Sequence, residues 1–340
     1  MKKIKEVKQH LQKNKYTWLV TGAAGFIGSN LVEELLRSGQ KVIGLDNFST
    51  GFESNIKQVI KFSKNKDFKM IEGDICELKT CIKVCEGVDF VLHQAALGSV
   101  PRSIKDPINT NNSNITGYLN MLIASKDTSV QRFIYAGSSS TYGDSIDLPK
   151  IESKIGKPLS PYAVTKFTNE LYAEIFNKLY DLEIIGLRYF NIFGRRQSPN
   201  GSYAAVIPKW ILAILNQEMV EINGDGTTSR DFCYIDNAIQ ANLIAAFADS
   251  KSISGQSFNI ALNDETNLND LYKMIVNNIQ LKRSSLTIHD PIYKEFRPGD
   301  VKHSRADISK AEKLLGYSPT HKVEEGIDET VSWYITNLKI

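Results

Sequence analysis

The chain of 340 residues has only four cysteines, at positions 76, 81, 85 and 233. That is too few, and too crowded, for a disulfide framework, so ordinary reduced thiols and a cytoplasmic setting are expected. A zinc site at Cys76, Cys81 and Cys85 would need a fourth ligand, and no metal is expected. Long apolar runs are missing too. Lys, Asn, Gly or Pro breaks every stretch well short of the roughly 18–20 residues that span a bilayer, which excludes a transmembrane role. Nor does one sign of charge prevail, since 41 Lys and Arg against 38 Asp and Glu leave +3. A nucleic-acid partner would want basic residues massed on one face. The lysine-rich start, MKKIKEVKQHLQKNK, lacks the apolar segment of a secretory signal and reads as a short surface helix ahead of the fold. What remains, 42% hydrophobic and 23% charged residues, suits a globular protein of one large domain or two ordinary ones.

Short apolar runs alternate with longer helical patterns through the first half, which predicts βαβ units and a parallel sheet. Strands are expected at 17–21, 41–46, 68–73, 89–95, 132–136 and 183–187. A helix after the first strand carries Ile27, Leu31 and Leu35 in one stripe and ends at Gly39. Another opens at Ser160-Pro161 and reaches about Tyr180. Beyond Leu187 the elements shorten and turn signals multiply, as in Asn223-Gly224-Asp225-Gly226 and Pro298-Gly299-Asp300. The expected class is α/β: a doubly wound parallel sheet over residues 1–189, rejoined by 233–260, with a smaller mixed α/β lobe over 190–340.

Gly22-Ala23-Ala24-Gly25-Phe26-Ile27-Gly28 lies between the first strand and the first helix. A tight turn, close backbone approach to a pyrophosphate and close helix packing each favour a residue without a side chain, and the helix N-terminus faces the anion. The second strand ends in Asp46, 18 residues after Gly28. A carboxylate there accepts hydrogen bonds from ribose hydroxyls and repels a 2′-phosphate, which favours NAD over NADP. Gly73-Asp74-Ile75 and His93-Gln94-Ala95-Ala96 fall at the same sheet edge.

Tyr162 and Lys166 stand four residues apart on the helix after Ser160, hence on one face. An ammonium beside a phenol is expected to lower the phenol's pKa, and such a Tyr can remove a proton from a sugar hydroxyl. The strand 133–136 runs into Gly137-Ser138-Ser139-Ser140-Thr141-Tyr142-Gly143, a row of hydroxyls at its carboxyl end.

With this row the sequence resembles the extended short-chain dehydrogenase/reductase family, whose nucleotide-binding part is of the Rossmann type, and more narrowly the nucleotide-sugar 4-epimerases. The motifs that carry the resemblance run in order from about Tyr16 to Trp333: TGAAGFIGSNL, GLDNFSTG, GDI, HQAALGSVPRS, GSSSTYGD, SPYAVTK, GLRYFNIFGRRQ, NGDGTTSRDFCYIDN and FRPGDVKHS. They look most like the bacterial branch acting on UDP-N-acetylhexosamines, the UDP-N-acetylglucosamine 4-epimerases among them.

The resemblance implies C4 epimerisation through a 4-keto sugar, using tightly bound NAD+ that takes and returns the C4 hydride. Tyr162 would be the base, Ser138 its hydroxyl partner, and Lys166 a contact to the nicotinamide ribose. Gly22, Gly25, Phe26 and Ile27 would hold the cofactor, with Asp46, Asn47, Ser49, Thr50 and Gly51 after the second strand. Asp74, Ile75, Gln94, Ala95, Ala96 and Tyr189 would complete that cradle, with Asn114 behind it. On the substrate side, Gly98, Ser99, Ser138, Ser139, Ser140, Tyr162 and Gln197 would meet the sugar. Tyr189-Phe190-Asn191 would lie over the nicotinamide, with Asn191 reaching the diphosphate. Ala205 and Val206 would hold uracil by their amides, with Lys209, Glu221 and Asn223 nearby. Arg230 and Arg297 would clamp the diphosphate, and Asp300 the uridine ribose. Ser304, small where related galactose epimerases vary in size, would leave room for an N-acetyl group.

The resemblance also implies a homodimer, through a helix at about 110–125 and the one after Ser160. Leu119, Leu122 and Ile123 there suit either an interface or the core. A polysaccharide pathway is an inference from the branch. The corresponding uronic acids, or UDP-glucose and UDP-galactose, stay open as substrates. A 4,6-dehydratase would want an acid and base pair where Ser139, Ser140, Thr141 and Tyr142 stand; a net-redox reductase and a catalytically dead dinucleotide sensor are further alternatives.

Overall fold

The computed structural model describes residues 2–64, 66–200, 204–296 and 302–338. In chain order the first half comprises α1 (Lys2–Lys13), β1 (Thr17–Thr21), α2 (Phe26–Arg37), β2 (Lys41–Asp46), α3 (Glu53–Val59), β3 (Phe68–Glu72), α4 (Leu78–Cys85), β4 (Phe90–His93), α5 (Val100–Lys105), α6 (Pro107–Asn111), α7 (Gly117–Asp127), β5 (Arg132–Ser138), α8 (Pro161–Tyr180) and β6 (Glu183–Tyr189). Shorter pieces then follow: β7 (Ile192–Phe193), α9 (Val206–Leu215), β8 (Glu221–Asn223), β9 (Ser229–Arg230), β10 (Cys233–Tyr234), α10 (Ile235–Phe247), α11 (Ser250–Ile253), β11 (Gln256–Ile260) and β12 (Thr266–Asn267). The chain ends with α12 (Leu268–Lys282), β13 (Ile292–Lys294), β14 (His303–Ser304), α13 (Ser309–Leu315) and α14 (Val323–Asn337).

Strands with both faces apolar belong in a parallel sheet covered by helices, and that is what forms. Seven strands lie in the order β3-β2-β1-β4-β5-β6-β11, each pair parallel. Trp18, Val20, Leu92 and Ile134 point to one face, where α2 and α10 supply Leu31, Leu35, Leu243 and Ile244. Leu19, Val91 and Phe133 point to the other, against Cys81 and Cys85 of α4, Leu122 of α7 and Phe176 of α8. The architecture is a Rossmann-type doubly wound sheet with a smaller mixed α/β part. Among the described residues no helix is long and apolar enough to cross a membrane.

Several expectations need correction. The N-terminal helix is more than a surface appendage, since Ile4, Val7 and Leu11 are buried and packed in the main core. The fourth strand is shorter than expected, and the fifth and sixth run on to Ser138 and Tyr189, paired to the end of that register. The single helix expected over 110–125 is interrupted by a π-turn, Asn112–Thr116, between α6 and α7. There the side chain of Asn114 turns inward to bond backbone elsewhere, a use typical of such turns near functional sites. Leu122 is wholly buried, and Leu119 and Ile123 pack on the same cluster. Leu122 therefore belongs to the core, and Leu119 and Ile123 lie at its half-buried edge. All four cysteines are free thiols.

Candidate active site

Along the carboxyl ends of β1, β2, β3 and β4 runs a cavity of about 400 Å³, lined by Gly22, Gly25, Phe26, Ile27, Asp46, Asn47, Ser49, Thr50, Ile75, Gln94, Ala95, Ala96 and Gly98, and also by Leu97, Arg102 and Ser113. Its floor is the glycine turn. Gly22 has φ +67°, and a Cβ there would lie 2.8 Å from the nitrogen of Ala95; one on Gly28 would lie 2.0 Å from the oxygen of Gly22. No side chain could take either place. Gly25 caps α2 without a side-chain bond, so the positive end of that helix faces the cavity.

Asp46 ties the turn to the second strand. Its carboxylate accepts from the N–H of Ala24 at 2.9 Å and of Phe48 at 2.8 Å, while burial pushes its pKa up against those bonds. Gly51 does not line the cavity but packs behind this group, where a Cβ would meet Asp46 Oδ1 at 2.9 Å. Asp74 likewise stands back, accepting from Asn47 Nδ2 at 2.8 Å and the N–H of Cys76 at 2.8 Å. His93 belongs to the core, pushed down to about 3 by burial.

A second cavity, about 270 Å³, opens beyond β6. Asn191, Val206, Lys209, Glu221, Asn223 and Arg230 line it, together with Trp210, Thr228, Phe232, Phe296 and Lys302, which the sequence reading missed. Trp210 follows Val206 by four residues on α9 and so shares its face, a signal that was present. Asn191, at φ +35°, donates from Nδ2 to the carbonyl of Asp231 at 3.1 Å. Arg230 donates to the carbonyls of Ser229 and Lys302 at 2.8 and 3.3 Å. Ala205 precedes α9 at its N-cap and does not line the cavity. Arg297 and Asp300 lie outside the described residues. Ser304 sits directly across from Arg230 in the β9–β14 pairing. Gln197 donates to the carbonyl of Ile192 at 3.1 Å, and its amide oxygen is buried without a partner among the described residues.

In strand order β5 stands between β4, whose following loop lines the first cavity, and β6, which leads to Asn191. At its end Ser138 pairs in register with Tyr189 and enters a single turn, Ser139–Tyr142. The hydroxyls of Ser138 and Ser140 share a hydrogen bond of 2.8 Å. Tyr162 comes from the first turn of α8, half-buried, with its phenol close enough to the Ser138 hydroxyl for that group to act on its pKa. The expected effect of Lys166 on this phenol is corrected. Burial raises the Tyr162 pKa, and the Ser138 hydroxyl is what pulls it down. Lys166 Nζ instead donates to the carbonyl of Ala136 at 2.9 Å, and burial pushes its own pKa down to about 8. Tyr189 is fastened by Asn242 Nδ2, which donates to its hydroxyl at 2.7 Å, and in turn donates to Gln94 Oε1 at 3.3 Å. Phe190 is corrected outright: it is wholly buried in the main core and faces neither cavity. Ser99 caps α5, accepting from the N–H of Arg102 at 3.3 Å.

Asp236, His321 and Glu329 bring ligand atoms within 4.8 Å of one another. Arg195 Nη1, however, already pairs with Asp236 at 2.8 Å, which makes the group an ion-pair network.

Residues 18–261 match the model of the NAD dependent epimerase/dehydratase family. A UDP-glucose 4-epimerase of Mycolicibacterium smegmatis is 33% identical over 322 residues, 93% of this chain and 97% of its own. The structure of a UDP-N-acetylglucosamine 4-epimerase from Methanobrevibacter ruminantium, in complex with UDP-N-acetylmuramic acid, superposes with a TM-score of 0.86 at 37% identity, over 96% of this chain and all of that one. A UDP-glucuronic acid 4-epimerase from Bacillus cereus, solved with UDP-glucuronic acid and NAD, superposes at 0.82 with 33% identity, over 94% and 99%.

Proposed function

The chain belongs to the NAD dependent epimerase/dehydratase family, and from that premise we propose that it is a nucleotide-sugar 4-epimerase interconverting UDP-N-acetylglucosamine and UDP-N-acetylgalactosamine. One observation carries the reading: Ser138, Tyr162 and Lys166 converge at the end of β5, between a glycine-floored cavity and one lined by Arg230 and Asn191. NAD suits the first cavity, by the backbone contacts that close the turn at Gly22 and Gly28 and by the Asp46 carboxylate where a ribose falls. When bound it accepts two electrons from the sugar carbon and gives them back.

The chain's own residues do the rest. Tyr162, once ionised, takes the proton of the sugar 4-hydroxyl as that carbon is oxidised to a ketone. Ser138 donates to the same oxygen or to the phenolate, and Ser140 holds Ser138 in place at 2.8 Å. Lys166 is fixed to the strand end by Ala136, where it would meet the cofactor's ribose. Arg230, with Arg297, holds the diphosphate by forked donors, so the keto sugar stays bound while it turns to present its other face. Tyr162 then returns the proton. The body formed by residues 1–189 and 233–260 serves the cofactor, and the lobe from 190 onward serves the sugar nucleotide.

The N-acetylated sugars are favoured by Ser304, a small residue opposite Arg230, which lines the second cavity. The related structures span acetylated, uronic and neutral sugars, so the substrate is decided by assay. Protein incubated with UDP-N-acetylglucosamine and no added cofactor should yield the galacto form, followed by NMR at C1 and H4. Turnover of UDP-glucuronate or UDP-glucose alone would move the assignment to that sugar, and loss of water would make the chain a dehydratase. The unit is a homodimer, formed through the exposed apolar side of α5, α6 and α8 (Ile104, Ile108, Leu171, Ile175 and Leu179).

A further inference from the structure

Ser103 has no part in the roles above, yet it touches the backbone of Tyr162. It is wholly buried on α5, donating to the carbonyl of Val100 at 2.7 Å and accepting the N–H of Tyr162 at 3.0 Å. Helix α8 needs such an acceptor, because the first N–H groups of a helix find no partner within it. Pro161 has no N–H. Ala163 donates to Ser160 Oγ at 3.1 Å and Val164 to the Ser160 carbonyl at 3.0 Å. Tyr162 is thus the first-turn residue whose N–H is satisfied from another element.

The same segment lines the cofactor cavity, through Leu97 and Gly98 at its far end and Arg102 beside Ser103. Asn114 grips it there, accepting from the N–H of Leu97 at 2.7 Å and donating to its carbonyl at 3.1 Å, and also donating to Thr165 Oγ1 at 3.1 Å. Between these points Ser99 sits at φ +97°, a backbone conformation unusual for anything but glycine. The segment 97–103 is therefore a stiff link from the cofactor cavity to the first turn of α8.

We propose that Ser103 is a positioning residue: its hydroxyl sets the height and rotation of the α8 first turn, and so holds the Tyr162 phenol against Ser138 and in register with whatever fills the adjacent cavity. The proposal rests on the reading of Tyr162 as the base. Without the bond, the first turn is free to shift, the phenol drifts from Ser138, and deprotonation moves to higher pH.

The test compares wild type, Ser103→Ala, Ser103→Thr and Tyr162→Phe as purified holoenzyme. The substrate is the one turned over fastest among UDP-N-acetylglucosamine, UDP-glucose and UDP-glucuronate, and kcat and KM are followed from about pH 6 to 10. Ser103→Ala should lower kcat by about tenfold or more, since small misplacements of a reacting group are costly. KM should stay within about threefold, and the rise of kcat with pH should move upward. Ser103→Thr, which restores the hydroxyl, should recover most of both. If the Ala variant does not accumulate, Ser103→Cys, similar in volume with a weaker acceptor, carries the comparison. Loss of activity in Tyr162→Phe with an unchanged kcat and pH profile in Ser103→Ala overturns the positioning role alone; near-normal activity in Tyr162→Phe overturns the base on which it rests.

Discussion

Lys166 reaches across from α8 to hold the carbonyl of Ala136 at 2.9 Å, while its ammonium stands 6.0 Å from the centroid of the Tyr162 ring. The lysine thus braces the strand end beside the phenol without a direct bond to it. Burial lowers its pKa from 10.5 to about 8. A folded-state value below the unfolded one means that the wild type is most stable above the unfolded value and loses stability as pH falls through the folded one. Lys166→Met removes the titration. In cofactor-free protein, the variant should gain on wild type as pH falls from about 10.5 to about 7, by up to about 3 kcal/mol at about 1.4 kcal/mol per unit. Denaturant melts at three pH values measure this, and a gap that does not change with pH would remove the buried-cation account.

Ser138→Ala separates the two influences on Tyr162. With the hydroxyl gone, burial acts on the phenol unopposed, so its pKa rises further above 10. A base works deprotonated, and kcat near pH 7 should therefore fall, on the order of 10- to 100-fold, with its rise displaced to higher pH. A uniform drop at every pH would mean that the Ser138 hydroxyl serves the substrate and not the base.

The parts of this site that were legible in the sequence are those held within one turn or one strand end. The run from Gly22 to Gly28 and the carboxylate of Asp46 can be read directly, because a strand, a turn and a helix N-terminus adjoin in sequence. Tyr162 and Lys166 share a face by helical spacing alone. What fastens them was hidden. Ser103 and Tyr162 are 59 positions apart and Asn114 and Thr165 are 51, and only packing of the layers joins them. Phe190 shows the converse: sequence adjacency to Tyr189 and Asn191 suggests a site residue, but it lies just past the end of β6 with its ring wholly buried in the main core.

Arg196 links the two sides of the cleft. It is almost wholly buried at φ +66°, donating from Nε to Ser29 Oγ at 3.1 Å and from Nη2 to Asn30 Oδ1 at 2.6 Å, with Glu33 Oε2 at 2.7 Å. All three partners lie on α2, the helix whose first turn lines the cofactor cavity. Burial pushes the Glu33 carboxyl up, and Arg196, together with Arg195 and Arg37, more than offsets it, leaving a net lowering. Arg196→Met leaves that carboxylate with Arg37 Nε, at 2.9 Å, as its one direct ion-pair partner among the described residues, and should destabilise the protein by up to about 3–5 kcal/mol. The double variant with Glu33→Gln should recover part of the loss. Denaturant unfolding of the four-member cycle is the measure, and additive effects would mean the pair is not coupled.

The apolar stripe of α8 bears on assembly. Val164, Leu171, Ile175 and Leu179 recur at helical spacing and are all about half exposed or more, as are Ile104 and Ile108 beside them on α5 and α6. Their opposite face, Ala173 and Phe176, is in the core. A row of this length left in water is unusual for a monomer, and self-pairing across a two-fold axis would cover it. Leu171→Glu with Ile175→Glu places charges in that seam and leaves the core untouched. The variant should stay folded and sediment as a monomer where the wild type sediments as a dimer. A wild type that is monomeric at micromolar concentration would refute the interface, and a variant that remains dimeric would move it to another face.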